Sequence, residues 1–372
     1  MNGFYWIYLI MFAFLLAYDL VQSRETRKLI YCCACGFLIL MFVLQDSSVS
    51  IDMAEYMRQW AIIPHLFFPQ MLVHKFEIGY VLLCYVLEKL FVSDRIILLA
   101  VSCIVIPMFG RFYAKETDHP MLAMMLFVAL GMYLHAIIFW RQLIAMAILT
   151  VSFRYIRQRR FLPFSFTVLL AMSFHKVAIV YFVLYFLYNV PVSKWLILLC
   201  GLSAGLLGLF GKEIIEFGVA TIYPRYTNVP RVVMGGETLL VVLWIIVLFS
   251  YWLLKPHMHD GFVRLPFLMV LIAATIQPVC FGYYNWFRVV LFFRIALIPL
   301  AVLLYTHLFR VKDGNRILKQ AKGISENLYR FLLESFDTKW FPAAVKCMMF
   351  TVLFLWYLTE LEGAVYRMVP IF

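Results

Sequence analysis

The chain has 372 residues, of which 65% are hydrophobic and 14% are charged, and its mean hydropathy is +0.91. Soluble domains carry roughly 45–50% apolar and about 25% charged residues, so this composition excludes a water-soluble globule. Because a membrane-spanning helix needs about 20 residues, the chain has room for roughly a dozen crossings and for no separate soluble catalytic domain. The net charge of +12 is first a topology signal, since Lys and Arg collect in cytoplasmic loops.

Apolar segments predict an all-α polytopic membrane protein, with about twelve transmembrane helices in a single domain over 1–372. The predicted crossings lie near 4–20, 29–45, 96–110, 120–138, 142–156, 161–174, 176–189, 195–211, 237–254, 265–281, 289–308 and 342–359. The apolar run at 79–92 is short and contains Glu88 and Lys89, which favours a re-entrant or interfacial helix. The segment 309–340 mixes apolar and basic residues, as amphipathic helices on the inner leaflet do.

Three basic clusters orient these helices, at 24–28, 154–160 and 310–322, and we predict that all three are cytoplasmic. Helix parity then places two large loops outside, namely 46–95, which contains the short helix, and 211–236. Both termini are also predicted outside. The N-terminal apolar run lacks a basic region and a cleavage site, so it is interpreted as a retained helix. The eight cysteines are not spaced as in a disulfide framework or a zinc site.

Polar and ionisable residues that parity places near the outer face are the candidates for function, because such groups are costly at membrane depth. They include Asp52, Tyr56, Glu77, Arg141, His175, Arg225, Arg231, Arg288 and Arg294. Each has an ordinary interpretation as an interfacial anchor, a solvated loop residue or a satisfied polar residue in a helix bend. The arginines fit that interpretation least, since the positive-inside rule discourages basic residues on the outer face.

The combination of arginines, carboxylates and a histidine suits transfer of a group from a diphosphate-linked lipid. Guanidinium forks match phosphate oxygens and stay charged at any relevant pH. They also stabilise the negative charge that grows on a leaving diphosphate. A carboxylate or an imidazole can accept the proton of an attacking hydroxyl.

Five motifs occur in order along the chain. They are Asp52-Met-Ala-Glu-Tyr56, Glu77-Ile-Gly79-Tyr80, Arg141-Gln142-Leu-Ile-Ala145, Phe174-His175-Lys-Val-Ala178 and the arginine Arg288. This series, over about 46–300, resembles the EpsG-like family of bacterial exopolysaccharide and O-antigen polymerases, the Wzy-type enzymes. Ile78 stands where the family pattern has proline and Val177 where it has serine, while Arg294 competes with Arg288 for the last motif.

The resemblance implies a polymerase that transfers a growing glycan from undecaprenyl diphosphate to a hydroxyl of the next lipid-linked repeat unit. The reaction is expected at the outer face of the bacterial cytoplasmic membrane. The resemblance also implies a relation to membrane glycosyltransferases of the GT-C type, with a flippase and a chain-length regulator of the same pathway as partners. Neither a metal nor another cofactor is expected, because arginines can neutralise the leaving charge. Nucleic acid is not an expected partner.

Roles follow from the same interpretation. The predicted catalytic residues are Glu77, His175 and Arg141, and the predicted substrate-binding residues are Arg288, Asp52, Tyr56, Tyr80, Gln142, Arg225 and Arg231. Arg141 and Arg288 are assigned to the donor diphosphate, and the first motif to the acceptor sugar or to bracing Arg141. Glu77 and His175 compete for the role of general base, and the sequence interpretation favours Glu77, with His175 as a phosphate ligand or orienting group.

Three other functions stay open from the sequence alone. A glycan ligase uses the same diphosphate chemistry with a different acceptor. A transporter or flippase of lipid-linked sugar carries charges through the bilayer on broken helices in symmetric halves, whereas here the candidates gather at one face and no repeat is visible. A membrane O-acyltransferase could use His175 as base, but its thioester donor normally arrives from the cytoplasmic side.

Overall fold

The computed structural model describes residues 2–45, 51–91, 93, 95–222, 236–281, 286–309 and 351–352. Within these ranges the regular structure is entirely helical, which confirms the all-α prediction. Contacts divide the chain into two compact units. The first comprises Met1–Ser152, Leu162–Ile179 and Leu308–Phe372, and the second comprises Phe153–Phe161 and Val180–His307. The prediction of one polytopic domain stays a prediction.

The helices of the described residues are α1 (Asn2–Leu20), α2 (Arg24–Val43), α3 (Ile51–Ile62), α4 (Phe68–Leu72), α5 (Ile78–Leu90), α6 (Arg95–Glu116), α7 (Pro120–Ala129), α8 (Met132–Ile138), α9 (Trp140–Leu149), α10 (Ser152–Arg157), α11 (Phe161–Met172), α12 (Phe182–Leu187), α13 (Lys194–Ile222), α14 (Glu237–Leu254), α15 (Gly261–Ile276), α16 (Phe287–Arg294) and α17 (Leu297–Phe309). Short 3-10 turns join several of them, including Lys176–Tyr181 between α11 and α12.

Within the described residues, six helical stretches are long and apolar enough to cross a membrane, or seven if the bent pair α7 and α8 is one span. The six are Arg24–Val43, Arg95–Glu116, Lys194–Gly211, Glu237–His257, Gly261–Phe281 and Phe287–Leu308. Tyr5–Leu20, Phe161–Met172 and Lys176–Leu187 are shorter apolar helices at three further predicted crossings. The chain is thus a polytopic membrane protein, while the predicted count of twelve is not confirmed.

Several predicted segments differ in detail from the observed helices. The predicted crossing at 142–156 is divided between α9 and α10. The predicted outer loop 211–236 begins as helix, because α13 continues to Ile222 through residues that include no proline. The predicted loop 46–95 is largely helical, and its short apolar helix is α5, with 13 residues. The segment 309–340 and most of 342–359 lie outside the described residues.

Two side-chain contacts define opposite ends of the first unit. At one end Asp19 Oδ1 lies 2.8 Å from His119 Nε2, which joins the end of α1 to the start of α7. At the other end Arg95, the first residue of α6, donates to the carbonyl of Val43, the last residue of α2, at 3.1 Å. The segments that follow α1 and precede α7 therefore share one end, as helix parity predicts.

The chain then returns along a broken path from α7 to α9. Gly131 has φ 75°, a conformation that glycine adopts without steric cost, and α7 and α8 meet there at 58°. A second break at Phe139 separates α8 from α9. The ring of Trp140, which starts α9, lies 6.5 Å from the ring of Phe42 near the end of α2. The start of α9 is therefore at the same end of the unit as Arg95.

Candidate active site

Glu77 is the N-cap residue of α5, immediately before the helix, but its side chain does not cap the helix. Its backbone carbonyl accepts hydrogen bonds from the amides of Tyr80 at 3.0 Å and Val81 at 3.1 Å. A carboxylate in this position ordinarily accepts from the first free amides of its own helix. Here it turns away, pairing with Arg141 and accepting from the backbone amide of Lys176 at 3.2 Å. The side chain thus serves a contact outside its own helix.

Arg141 lies in the first turn of α9, where the helix dipole disfavours a cation. Two contacts offset this cost: the ion pair with Glu77, and the face of the Phe76 ring, 4.1 Å from the guanidinium carbon. The two charged side chains are only 16% and 10% exposed, respectively. Removing one member of such a buried pair leaves an uncompensated charge. Among the described residues, no acceptor lies within hydrogen-bond reach of the Arg141 Nε.

His175 occupies the break between α11 and the 3-10 turn Lys176–Tyr181. Its amide donates to the carbonyl of Ala171 at 3.0 Å, and its carbonyl accepts from the amide of Ala178 at 2.9 Å. The imidazole is buried, with Nδ1 3.6 Å from Glu77 Oε1. A single carboxylate therefore lies between the guanidinium of Arg141 and the imidazole of His175.

Close contact between two backbones holds this arrangement together. The amide of Gly79 donates to the carbonyl of Ser173 at 2.7 Å. A Cβ at position 79 would lie 2.5 Å from Ser173 Oγ and 2.7 Å from its carbonyl oxygen, well inside contact distance. Only glycine permits this approach of α5 to the end of α11. The contact aligns Glu77 with His175, which explains the glycine two residues after the glutamate.

The electrostatics of the cluster favour an ionised carboxylate. Burial opposes ionisation of Glu77, but the neighbouring His175 and the positive charge of Arg141 outweigh it and lower the pKa of the carboxyl to about 2. Across the physiological range the cluster therefore contains a carboxylate and a guanidinium. A carboxylate of such low pKa is a weak proton acceptor.

Four aromatic rings form a buried wall next to the cluster. Tyr56 is stacked on Trp140, with centroids 4.8 Å apart and planes at 18°. Phe76 and Tyr80 each lie 5.6 Å from the Tyr56 ring, and the two meet edge to face. Such pairs add about 0.5–1.5 kcal/mol each beyond their buried area. The Tyr56 ring is 5.9 Å from the carbon of the Arg141 guanidinium, a distance at which it can brace that side chain.

The other residues predicted for the site lie in both units, and two of them lie outside the described residues. Asp52 is half-buried in the first turn of α3, one turn before Tyr56. Tyr80 and Gln142 are covered by protein, with 0% and 2% exposure, so direct substrate contact by either stays a prediction. Arg288 is half-buried in the first turn of α16, in the second unit. Arg225 and Arg231 lie outside the described residues.

A family model, described as the EpsG family, matches residues 28–320, more than half of the chain. The chain belongs to the EpsG family. This confirms the resemblance inferred from the motifs, and in general terms it indicates a Wzy-like polysaccharide polymerase of the glycosyltransferase type. Neither a curated protein nor a solved structure matches the chain. The matched region contains every described residue of the cluster.

Several residues around this EpsG-family cluster escaped the sequence interpretation. Phe76, Ser173 and Lys176 all contact members of the motifs, yet none carries a pattern of its own. The one available signal was position, since each lies within two residues of a motif residue. No three His, Cys, Asp or Glu side chains in the described part of the chain are grouped as metal ligands would be.

Proposed function

We propose that this EpsG-family chain transfers a growing glycan from undecaprenyl diphosphate to a hydroxyl of the next lipid-linked repeat unit. The observation that supports it best is the buried cluster in which Glu77 lies between Arg141 and His175. The reaction needs a cation for the diphosphate and a base for the hydroxyl, and this cluster offers one of each. We place the reaction at the outer face of the bacterial cytoplasmic membrane, in a fold of about twelve crossings related to GT-C enzymes.

In the proposed step His175 is the general base and Glu77 orients it. The base accepts the proton of the acceptor hydroxyl, and the hydroxyl oxygen forms a bond to the anomeric carbon of the donor sugar. The bond from that carbon to the diphosphate oxygen breaks, and the diphosphate leaves with the electron pair. This assignment reverses the one favoured from the sequence, because the low pKa of Glu77 makes it the weaker base. Histidine is the side chain most often used as a general base.

Arg141 is assigned to the donor diphosphate. Its guanidinium has five donor hydrogens and contributes one hydrogen bond to Glu77, which leaves capacity for phosphate oxygens. Charge on the leaving group grows in the transition state, so this contact accelerates the reaction as well as binding the donor. We assign Asp52 to the acceptor sugar, and Arg288, Arg225 and Arg231 to the donor lipid. A flippase and a chain-length regulator of the same pathway are proposed as partners.

The test is reconstitution of the purified protein in nanodiscs with a short lipid-linked repeat unit. The expected products are a ladder of glycans and a matching amount of free lipid diphosphate. A ladder formed only on an acceptor that lacks the lipid would indicate a ligase instead. Binding of the substrate without release of lipid diphosphate would indicate a transporter, and either result would contradict the proposal.

The two candidate bases are separated by paired variants. His175→Ala is expected to abolish the basic catalyst, with a loss of about 10²–10⁴-fold. Glu77→Gln is expected to retain part of the activity, because the amide still occupies the place beside the imidazole. If Glu77→Gln were the more damaging of the two, the base would be Glu77. Ser165→Ala, in α11 away from this cluster, is the matched control for folding.

A further inference from the structure

A second polar network lies beside the cluster, between α3 and the segment that leads into α5. The amide nitrogen of Gln59 donates to Glu55 Oε1 at 3.0 Å. His74 Nε2 lies 3.0 Å from Gln59 Oε1. At the other side of the ring, the backbone amide of Phe76 donates to His74 Nδ1 at 3.0 Å. The chain of contacts therefore runs from a carboxylate to the residue under the Arg141 guanidinium.

The carboxylate end of the network is fixed by two cations. Arg58 donates to Glu55 at 2.8 Å, and Lys75 also pairs with it. The bond from Arg58 lowers the pKa of Glu55 to about 2, burial opposes the change, and Lys75 adds to it. Glu55 is therefore an acceptor only, which fixes the orientation of the Gln59 side chain. Its NH₂ faces Glu55, and its carbonyl oxygen faces His74.

This orientation assigns the proton on His74. The Gln59 oxygen can only accept, so Nε2 must carry the hydrogen that lies between them. The amide of Phe76 can only donate, so Nδ1 must be unprotonated. Along this series of hydrogen bonds, each donor faces an acceptor only when the His74 ring is the neutral Nε2–H tautomer. A doubly protonated ring would oppose the N–H of Phe76 with another N–H, and that hydrogen bond would break.

We propose that His74 is a positioning residue whose neutral form holds Phe76 beneath Arg141, and whose protonation releases that segment and lowers the activity. The Phe76 ring lies 5.4 Å from the His74 ring, edge to face, and 4.1 Å from the guanidinium carbon. Glu77 is the next residue along the chain, so the backbone that His74 holds also carries the carboxylate. The effect on activity rests on the proposed function, whereas the effect on the segment does not.

The charged groups around His74 set the pH range in which the ring becomes protonated. Burial lowers the pKa of the ring first, and the cations Lys75, in its own segment, and Arg141, from α9, lower it further. Glu55, from α3, opposes them. The result is a pKa below the ordinary value of 6.5. The neutral tautomer is therefore the form present at neutral pH, and it is lost only as the pH falls into the acid range.

Hydrogen exchange at single-amide resolution tests the structural step without any substrate. In wild-type protein in nanodiscs, the protection of the Phe76 amide, corrected for the intrinsic exchange rate, should fall at least about twofold from about pH 7.5 to about pH 4. In His74→Asn the side-chain oxygen can accept from the amide two residues on and does not titrate, so the protection should stay constant. His74→Ala should be unprotected at both values. Protection that is flat in wild type, or that titrates equally in His74→Asn, would overturn the proposal.

The rate of polymerisation against pH tests the consequence for the reaction. The activity of His74→Asn relative to wild type should rise about twofold or more as the pH falls over the same interval, because the other titratable groups of the site are common to both proteins and cancel. If the activity ratio stayed constant while the protection of the Phe76 amide changed with pH, the proposal that this segment positions Arg141 would be wrong. Absence of a ladder from every protein would contradict the proposed function and leave the exchange result standing.

Discussion

Arginines lie over aromatic rings in both units of the chain, and they differ in the group to which each guanidinium donates. In the first unit Arg141 lies 4.1 Å above Phe76 and donates to the carboxylate of Glu77. In the second unit Arg159 lies 4.0 Å above Tyr185 and donates to the backbone carbonyl of that residue. The Tyr185 hydroxyl in turn donates to the carbonyl of Arg159 at 2.8 Å. The same cation-on-ring geometry therefore serves two different acceptors.

The acceptor separates structural arginines from candidate functional ones. Arg264 repeats the second pattern, with its guanidinium 5.3 Å from the Tyr188 ring and a bond to the carbonyl of Val190 at 2.7 Å. Neutral carbonyls satisfy the donors and leave the arginine charge in place, which suits the ends of helices and loops. A buried carboxylate next to an imidazole instead creates a set of groups that can exchange partners with an anionic substrate.

The largest expected difference in the rate of polymerisation is between variants of Arg141 in the first unit and of Arg159 in the second. Arg141→Ala should reduce the rate of polymerisation about 10²–10³-fold, because one stabiliser of the leaving charge is lost. Arg141→Lys should also be impaired, since a lysine lacks the planar fork. Arg159→Ala is the matched control, and it should leave the rate per folded protein unchanged. An equal loss from both alanine variants would contradict the distinction between the two acceptors.

Acid stability should reveal the ion pair directly. The pKa of Glu77 is lowered from 4.5 to about 2 in the folded protein, so its contribution is complete above pH 4.5 and is lost as the pH falls towards 2. This difference corresponds to about 3 kcal/mol. The melting temperature of wild type in detergent should therefore fall more steeply below pH 4.5 than that of Glu77→Gln. Glu55 titrates in both proteins, so parallel curves would show that the pair contributes nothing.

The next largest effect is expected from a change in the backbone contact between Gly79 and Ser173 in the first unit. Gly79→Ala would bring a methyl group to 2.5 Å from Ser173 Oγ, so α5 must move away from the end of α11. We expect a loss of stability of about 1–3 kcal/mol and at least about a tenfold loss of activity, because His175 and Glu77 separate. Gly36→Ala is the matched control, as its added methyl group meets no atom within 4 Å. If both glycine variants melted and reacted alike, the close approach at position 79 would have no role.

How much of the fold could be predicted from the sequence depends on whether a feature is set by neighbouring residues or by contacts between distant ones. The apolar runs predicted the helices because hydropathy is local, and the short run at 79–92 predicted the short helix α5. The break at Gly131 was missed, since the apolar run at 120–138 is continuous in composition, whereas the break at Phe139 lies where the predicted crossings 120–138 and 142–156 are separated. The helical continuation of α13 to Ile222 was missed for the opposite reason, because polar residues were interpreted as a loop.

The same distinction applies to the site. Glu77, Arg141 and His175 were selected because each is polar at the start or break of an apolar helix, and the structure brings these three together. Their supports were not predictable. The contact between Gly79 and Ser173 joins residues far apart in the chain, and nothing in their spacing indicates it. Likewise, the sequence could not distinguish the two candidate bases, because the pKa of a carboxyl depends on neighbours that only the fold supplies.

The smallest predicted effect concerns Arg159, which lies two residues after the end of α10 and has a left-handed conformation with φ 56°. For a residue other than glycine this conformation costs roughly 1–2 kcal/mol, and the ring of Tyr185 returns about 0.5–1 kcal/mol through its contact with the guanidinium. Arg159→Gly removes both contributions, so the free energy of unfolding should change by less than about 1 kcal/mol. Arg159→Ala removes the contact and keeps the strain, so it should be the less stable of the two in thermal melts. The reverse order would mean that the left-handed conformation has no net cost at this position.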